Sequence, residues 1–183
     1  MEERQDLIDV LISDHREIER MFTELEGMTG RLDERPQELA EEVLIELVRH
    51  SVTEEEYLYP AVREHVPGGD AAADRQLAGH AETERTIRRL EGLEPGDAAY
   101  WTTLEELRGQ VRHHVDEAET DIFPLVRESC PRERLLELGA EAVRARHATP
   151  DQSHPTTSGT PGSSGTPWAG LVDRVRRALT GHA

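Results

Sequence analysis

His50-Ser51-Val52-Thr53-Glu54-Glu55-Glu56-Tyr57-Leu58-Tyr59-Pro60 is the stretch that decides the fold. Read as helix, it continues an apolar stripe of Leu39, Val43 and Leu47, which Leu58 and Val62 take up again beyond it. Steps of three and four residues are the helical period. His50 and Glu54 fall on the stripe itself, so a face built to be buried carries an imidazole and, one turn on, a carboxylate. The pattern recurs. An offset of 64 relates His50, Glu55, Pro60, Val62, Arg63, Glu64 and Pro67 to His114, Glu119, Pro124, Val126, Arg127, Glu128 and Pro131. An offset of 65 relates His15-x-x-x-Glu19-Arg20 to His80-x-x-x-Glu84-Arg85.

Working outward, four long amphipathic helices are predicted. The first runs from about Glu3 to Met28 on Ile8, Leu11, Ile12, Ile18, Phe22 and Leu25. The second starts near Pro36, a residue suited to a first helical turn, and stops near Pro67-Gly68-Gly69. The third opens after Asp70 as N-cap and ends at Gly92 to Gly96, and the fourth opens after Asp97. Nothing alternates with period two for long enough to suggest a sheet. The connections are short, so the fold class is all-α: an up-down-up-down four-helix bundle whose halves are two helix hairpins about an approximate two-fold axis. A short extra helix comes next at about Pro131 to Arg146, closing a bundle domain at residues 1–148. Residues 149–167 are rich in Ser, Thr, Gly and Pro and read as a disordered linker. Residues 168–183 read as a short basic amphipathic helix with Leu171, Val172, Val175 and Leu179 on one side and Arg174, Arg176 and Arg177 on the other.

Composition narrows the function. The 183 residues hold 38 acidic and 21 basic side chains, a formal charge of -17. So acidic a surface repels phosphate backbones, and no nucleic-acid partner is expected. One cysteine, Cys130, excludes an internal disulfide framework and a Cys-rich metal site. The first residues lack the basic and apolar regions of a signal peptide, and no apolar run approaches the ~18–20 residues that span a bilayer. The default location is cytoplasmic. The C-terminal helix is too short, with three arginines, for stable membrane anchoring; it is left for the acidic body or a protein partner.

Nine histidines remain to be placed. Each long helix puts one on its core stripe: His15, His50, His80 and His114. Glu54, Glu84 and Glu119 come about one turn later on helices two, three and four. A buried, unpartnered carboxylate costs several kcal/mol, and a small domain has only ~5–15 kcal/mol of net stability. Mutual hydrogen bonds compensate in part. Cations compensate better, because neutral imidazole and carboxylate are ligands for iron, manganese and zinc. Four histidines and three carboxylates are too many donors for one tetrahedral zinc and fit a pair of metals bridged by carboxylates. Glu119 lies five residues after His114, which turns it ~140° off the face of a straight α-helix; a π-bulge would bring it inward. The repeat pairs Glu119 with Glu55, so Glu55 competes with Glu54 in helix two. Pro60 and Pro124 are expected to kink their helices. His65, His113, His147, His154 and His182 fall off the stripes or in the tail. Tyr57 and Tyr59 lie about two turns past His50 and read as packing residues, a redox or hydrogen-bonding role beside a metal being the alternative. No Ser-His-Asp or Cys-His arrangement is apparent.

The pieces Asp14-His15-Arg-Glu-Ile18, His50-Ser-Val-Thr-Glu54-Glu55-Glu56-Tyr-Leu-Tyr-Pro60, His80-x-x-x-Glu84 and His114-Val-Asp-Glu-Ala-Glu119-Thr-Asp-Ile-Phe-Pro124 resemble the hemerythrin-like proteins, the HHE cation-binding domain family, over roughly residues 5 to 130. The resemblance implies two iron ions in a non-heme diiron centre, oxo- and carboxylate-bridged, that binds or reacts with dioxygen, hydrogen peroxide or nitric oxide. It makes His15, His50, His80 and His114 terminal ligands and Glu54 and Glu119 the bridges. Oxygen-carrying hemerythrins have a histidine where this chain has Glu84; a carboxylate there favours the ferric state and shifts weight from oxygen carriage to redox turnover, such as peroxide decomposition, or iron holding. The competing reading is a non-enzymatic iron-binding or oxygen-sensing module that signals through its C-terminal helix.

Overall fold

A computed structural model describes residues 5–31, 33–148 and 173. Among them all regular structure is helical: α1 Leu7–Glu26, α2 Arg35–Thr53, α3 Tyr59–His65, α4 Gly69–Leu90, α5 Ala98–Glu117, α6 Phe123–Ser129 and α7 Arg132–Ala148. Two π-helical turns, Glu54–Leu58 and Ala118–Ile122, join α2 to α3 and α5 to α6, so each pair is one continuous rod. The resulting rods keep the predicted order of four long helices and a shorter fifth. α1 packs on α2 and α7, α4 on α5 and α3, and α3 on α6. The predicted linker at 149–167 lies outside the described residues, and so does the C-terminal helix apart from Asp173.

Local chemistry sets the helix ends. α1 starts at Leu7, later than the stripe suggests, because Asp6 caps it: Asp9 N–H donates to Asp6 Oδ1 at 2.9 Å and Asp6 N–H donates back to Asp9 Oδ2 at 3.3 Å. That reciprocal pair is a capping box with Asp in place of Glu. α4 is not capped by Asp70; its N-cap is Gly68 at φ +75°, a left-handed conformation natural to glycine. The next residue must be glycine for a different reason. A Cβ on Gly69 would lie 2.0 Å from the carbonyl oxygen of Val62.

The π turns have a visible signature. The Tyr59 N–H donates to Glu54 O and the Phe123 N–H to Ala118 O, each five residues back. Pro60 and Pro124 come immediately after, in the first turns of α3 and α6. A proline has no N–H to give, so the ladder is one bond short where it changes step. A π turn adds one residue to the helical circuit and so rotates the helix on its N-terminal side relative to the helix on its C-terminal side.

The core is in two parts. One apolar cluster gathers Phe22, Val43, Leu44, Leu90, Tyr100 and Leu107 with their neighbours. The other gathers Ile8, Leu58, Val62, Ile122, Phe123 and Leu138 with theirs. Buried Asp14, His15, His50, Thr53, Glu54 and His80 form a polar layer at the level where α1, α2, α4 and α5 carry their histidines.

Candidate metal centre

Each rod contributes one imidazole to that layer. His15 and His50 are 3% and 5% exposed, His80 is 7% exposed, and Glu54 has no exposed surface. Their polar ends converge. His15 Nε2 lies 3.1 Å from His50 Nε2, and His80 Nε2 lies 3.4 Å from His114 Nε2. Glu54 joins the two pairs: its Oε2 is 2.9 Å from His80 Nε2 and 3.0 Å from His114 Nε2, and its Oε1 is 3.5 Å from His50 Nε2. Two ligand groups result, His15–His50–Glu54 and Glu54–His80–His114, sharing one carboxylate.

Outer carboxylates orient the rings. His15 Nδ1 faces Glu119 Oε1 at 2.7 Å, and His80 Nδ1 faces Glu55 Oε1 at 3.1 Å. An ionised carboxylate only accepts, so the ring nitrogen facing it carries the proton. In the neutral ring, Nε2 is then a lone pair, and both lone pairs point into the layer. Carboxylates on the far nitrogen are the usual outer support of metal-bound histidine. Phe123 stacks on His15, centroids 5.6 Å apart and planes 6° from parallel, and fixes the ring from its face.

The electrostatics favour a cation. Burial pushes the Glu54 carboxyl up, but the imidazoles of His50, His114 and His80 outweigh it and hold the pKa well below the usual value. Burial pulls His80 down, but hydrogen bonds to Glu54 and Glu55 reverse the sign and raise it to about 9. His15, desolvated and beside His50, is lowered to about 3. Fully buried Glu54 Oε1 has no hydrogen-bond donor, although an unpartnered buried carboxylate oxygen is expensive. Four imidazole nitrogens gathered on the two oxygens of one buried carboxylate are a donor set that a hard or borderline divalent cation satisfies once it displaces the shared protons. The residues present therefore fit metal ions.

Of the seven residues the sequence nominates, the structure brings together five: His15, His50, Glu54, His80 and His114. Glu119 touches the layer from outside. The π turn carries its carboxylate to His15 Nδ1 while its side chain stays 39% exposed. Glu84 lies outside both groups, and its Oε1 accepts from Arg88 Nη2 at 2.8 Å. Arg88 also donates to Asp173 Oδ1 at 2.9 Å. Between the two competitors in helix two, Glu54 is central and Glu55 is an outer support.

Tyr59, for which packing is the first sequence reading and hydrogen bonding beside a metal the alternative, is part of the site. It is 2% exposed, and its hydroxyl donates to Glu54 Oε2 at 3.0 Å and lies 3.1 Å from His80 Nε2. Burial and the Glu54 carboxylate hold the phenol protonated. The repeat contained a signal: Tyr59 corresponds to Phe123, the ring stacked on His15. A cavity of about 540 Å³ reaches the layer from the side, lined by His15, Glu19, Val111, Arg112, Val115 and Glu119 among others.

Comparison with known proteins shows the family and the fold. The profile of the hemerythrin HHE cation-binding domain matches residues 6–126. The chain belongs to the hemerythrin HHE cation-binding domain family. An uncharacterized hemerythrin-like protein of Schizosaccharomyces pombe is 21% identical to this HHE chain over 154 residues, which are 84% of this chain and 75% of the relative. A protein of Nostoc named DNA nickase is 26% identical over 140 residues, 75% of this chain but 38% of that longer protein. The crystal structure of an HHE cation-binding domain-containing protein from Mycobacterium kansasii superposes with a TM-score of 0.67 at 20% identity. It covers 82% of this chain and 95% of its own, and so shares the fold. The HHE family is a cation-binding one, and in this member the two His/Glu groups are where a cation fits.

Proposed function

We propose that this HHE protein is a non-heme diiron protein that binds or reacts with dioxygen, hydrogen peroxide or nitric oxide, peroxide breakdown being the activity to test first. The observation that carries the reading is the sharing of Glu54 by two ligand groups that each add two imidazoles. His15, His50 and Glu54 would hold one iron, and Glu54, His80 and His114 the other. Two adjacent irons supply two one-electron redox centres and positions open to a small ligand.

The chain's own residues do the rest. Glu119 and Glu55 hold protons on the far nitrogens of His15 and His80, which keeps the inner nitrogens available. The Tyr59 hydroxyl donates its one proton to Glu54 Oε2 and lies beside His80 Nε2, which orients the carboxylate that both groups share. Leu58, Ile18 and Ile122 are buried around the layer and exclude bulk water. The cavity beside His15 and Glu119 gives a small molecule a way in.

No helix among the described residues is long and apolar enough to cross a membrane. A cytoplasmic location is part of the proposal. The test is to purify the protein with iron, then add hydrogen peroxide while recording oxygen release and the visible spectrum. Oxygen release above that of free iron supports peroxide breakdown; an unchanged spectrum with no release removes it.

A further inference from the structure

His50 lacks what His15 and His80 have. Its Nδ1 is buried and without a hydrogen-bond partner, whereas the Nδ1 atoms of His15 and His80 each face a carboxylate. The group that faces it is Asp14: Oδ2 lies 3.7 Å away, and the aspartate is only 5% exposed. Asp14 is not free to turn elsewhere. Its Oδ1 is held by the guanidinium of Arg146, which reaches in from α7 and also donates to Glu46 Oε2 at 3.3 Å. Glu46 is in turn held by Arg49 at 2.7 Å. A normal N–H···O bond spans about 2.7–3.2 Å, so closing the gap needs a shift of about 0.5–1 Å.

We propose that Asp14, clamped by Arg146, is the positioning carboxylate of His50, and that α7 is thereby part of the metal centre. The proposal rests on the metal reading above. It extends a pattern: Glu119 serves His15, Glu55 serves His80, and Asp14 serves His50. Two of these supports come from the bundle rods related by the repeat. The third depends on a helix that the repeat does not contain, and Arg146 lies beyond residues 6–126, where the family profile matches. The geometry gives each element a task. Arg146 neutralises a carboxylate that would otherwise be buried alone, Asp14 fixes the His50 ring with Nδ1 protonated, and Nε2 is left to face His15 and Glu54.

The test uses the full chain and the variants Asp14→Asn, Arg146→Met and Arg146→Lys. Anaerobic Fe(II) titration against a competing chelator reads each binding step, and thermal melts of the iron-free proteins read folding. Asp14→Asn weakens one of the two steps about 10–100-fold and leaves the other in place. Arg146→Met weakens the same step by a smaller factor, and Arg146→Lys, which keeps the charge, recovers most of it. A purely structural role predicts lowered melting temperatures with both steps intact, and that result overturns the proposal. So does equal weakening of both steps. Because Arg146 is half-buried, its variants remain informative if Asp14→Asn does not fold. A wild-type chain that takes up no Fe(II) overturns the metal reading and this proposal with it; two steps in wild type and two unchanged steps in both Asp14→Asn and Arg146→Met overturn this proposal alone.

Discussion

Glu55 stands to His80 as Glu119 stands to His15: each carboxylate, on a π turn of one rod, faces the Nδ1 of a histidine on another, at 3.1 and 2.7 Å. The internal repeat relates the two glutamates and the two histidines, so the outer supports obey the approximate two-fold axis. The centre does not. Glu54 corresponds to Ala118, and only one of that pair carries a charge. A single carboxylate thus serves both ligand groups.

That asymmetry makes Glu54 the most sensitive residue of the site. Glu54→Ala should abolish both metal positions together, taking the metal content from two ions per chain to none. His15→Ala should weaken chiefly one, leaving about one. Elemental analysis of the two purified variants checks the difference.

Stability of the metal-free chain should depend on pH in two opposite ways. His15 is lowered from about 6.5 to about 3, so the unfolded chain binds its proton more readily and stability falls as pH drops below about 6.5. His80 is raised to about 9, so its contribution is full below about 6.5 and is lost as pH climbs through 9. The denaturant midpoint should therefore peak near pH 6.5. Loading with metal should remove the alkaline loss, because the cation takes over from the proton. Urea titrations at pH 4.5, 6.5 and 9, with and without metal, decide it.

α7 is fitted to the start of α1 at one residue. A Cβ on Gly139 would lie 2.7 Å from the carbonyl oxygen of Gln5 and 2.8 Å from the backbone of Asp6 and Leu7. Gly139→Ala should cost about 1–3 kcal/mol, the usual penalty for overpacking. Chemical denaturation measures it, and a cost below about 0.5 kcal/mol would show that the two backbones are not pressed together.

The cavity beside His15 should govern ligand access. Val115→Trp, which fills it from α5, should slow azide or peroxide binding at least tenfold without changing the metal content. Stopped-flow absorbance on the iron-loaded protein reads the rate.

The helices and the polar layer were legible in the sequence because both rest on period: Leu39, Val43, Leu47 and Leu58 mark a buried face, and His50 and Glu54 sit on it. The phase of Glu119 was legible only conditionally, since five residues of α-helix point away and five across a π turn point to His15. Period favoured Glu54 and the repeat favoured Glu55, and only the π turn, which puts Glu54 among the imidazoles and Glu55 against His80 Nδ1, assigns a place to each. Asp14 escaped assignment, and Tyr59 reads first as packing, for a simpler reason. Their partners, Arg146 and Glu54, are fixed by contacts between rods or by the π turn, which a stripe of apolar residues does not encode. Glu84 shows the converse: it keeps the right spacing from His80, yet Arg88 one turn on holds it at the surface.

Whether the buried His/Glu layer exists to hold two metal ions is tested most directly by metal content and melting temperature, measured on one sample before and after chelation. The expected result is two irons per chain, an absorption band toward the near ultraviolet, and a lowered melting temperature once the iron is removed, since a ligand bound only by the folded state stabilises it. A well-folded chain that carries no transition metal after iron reconstitution, and melts at the same temperature with and without chelator, would contradict it.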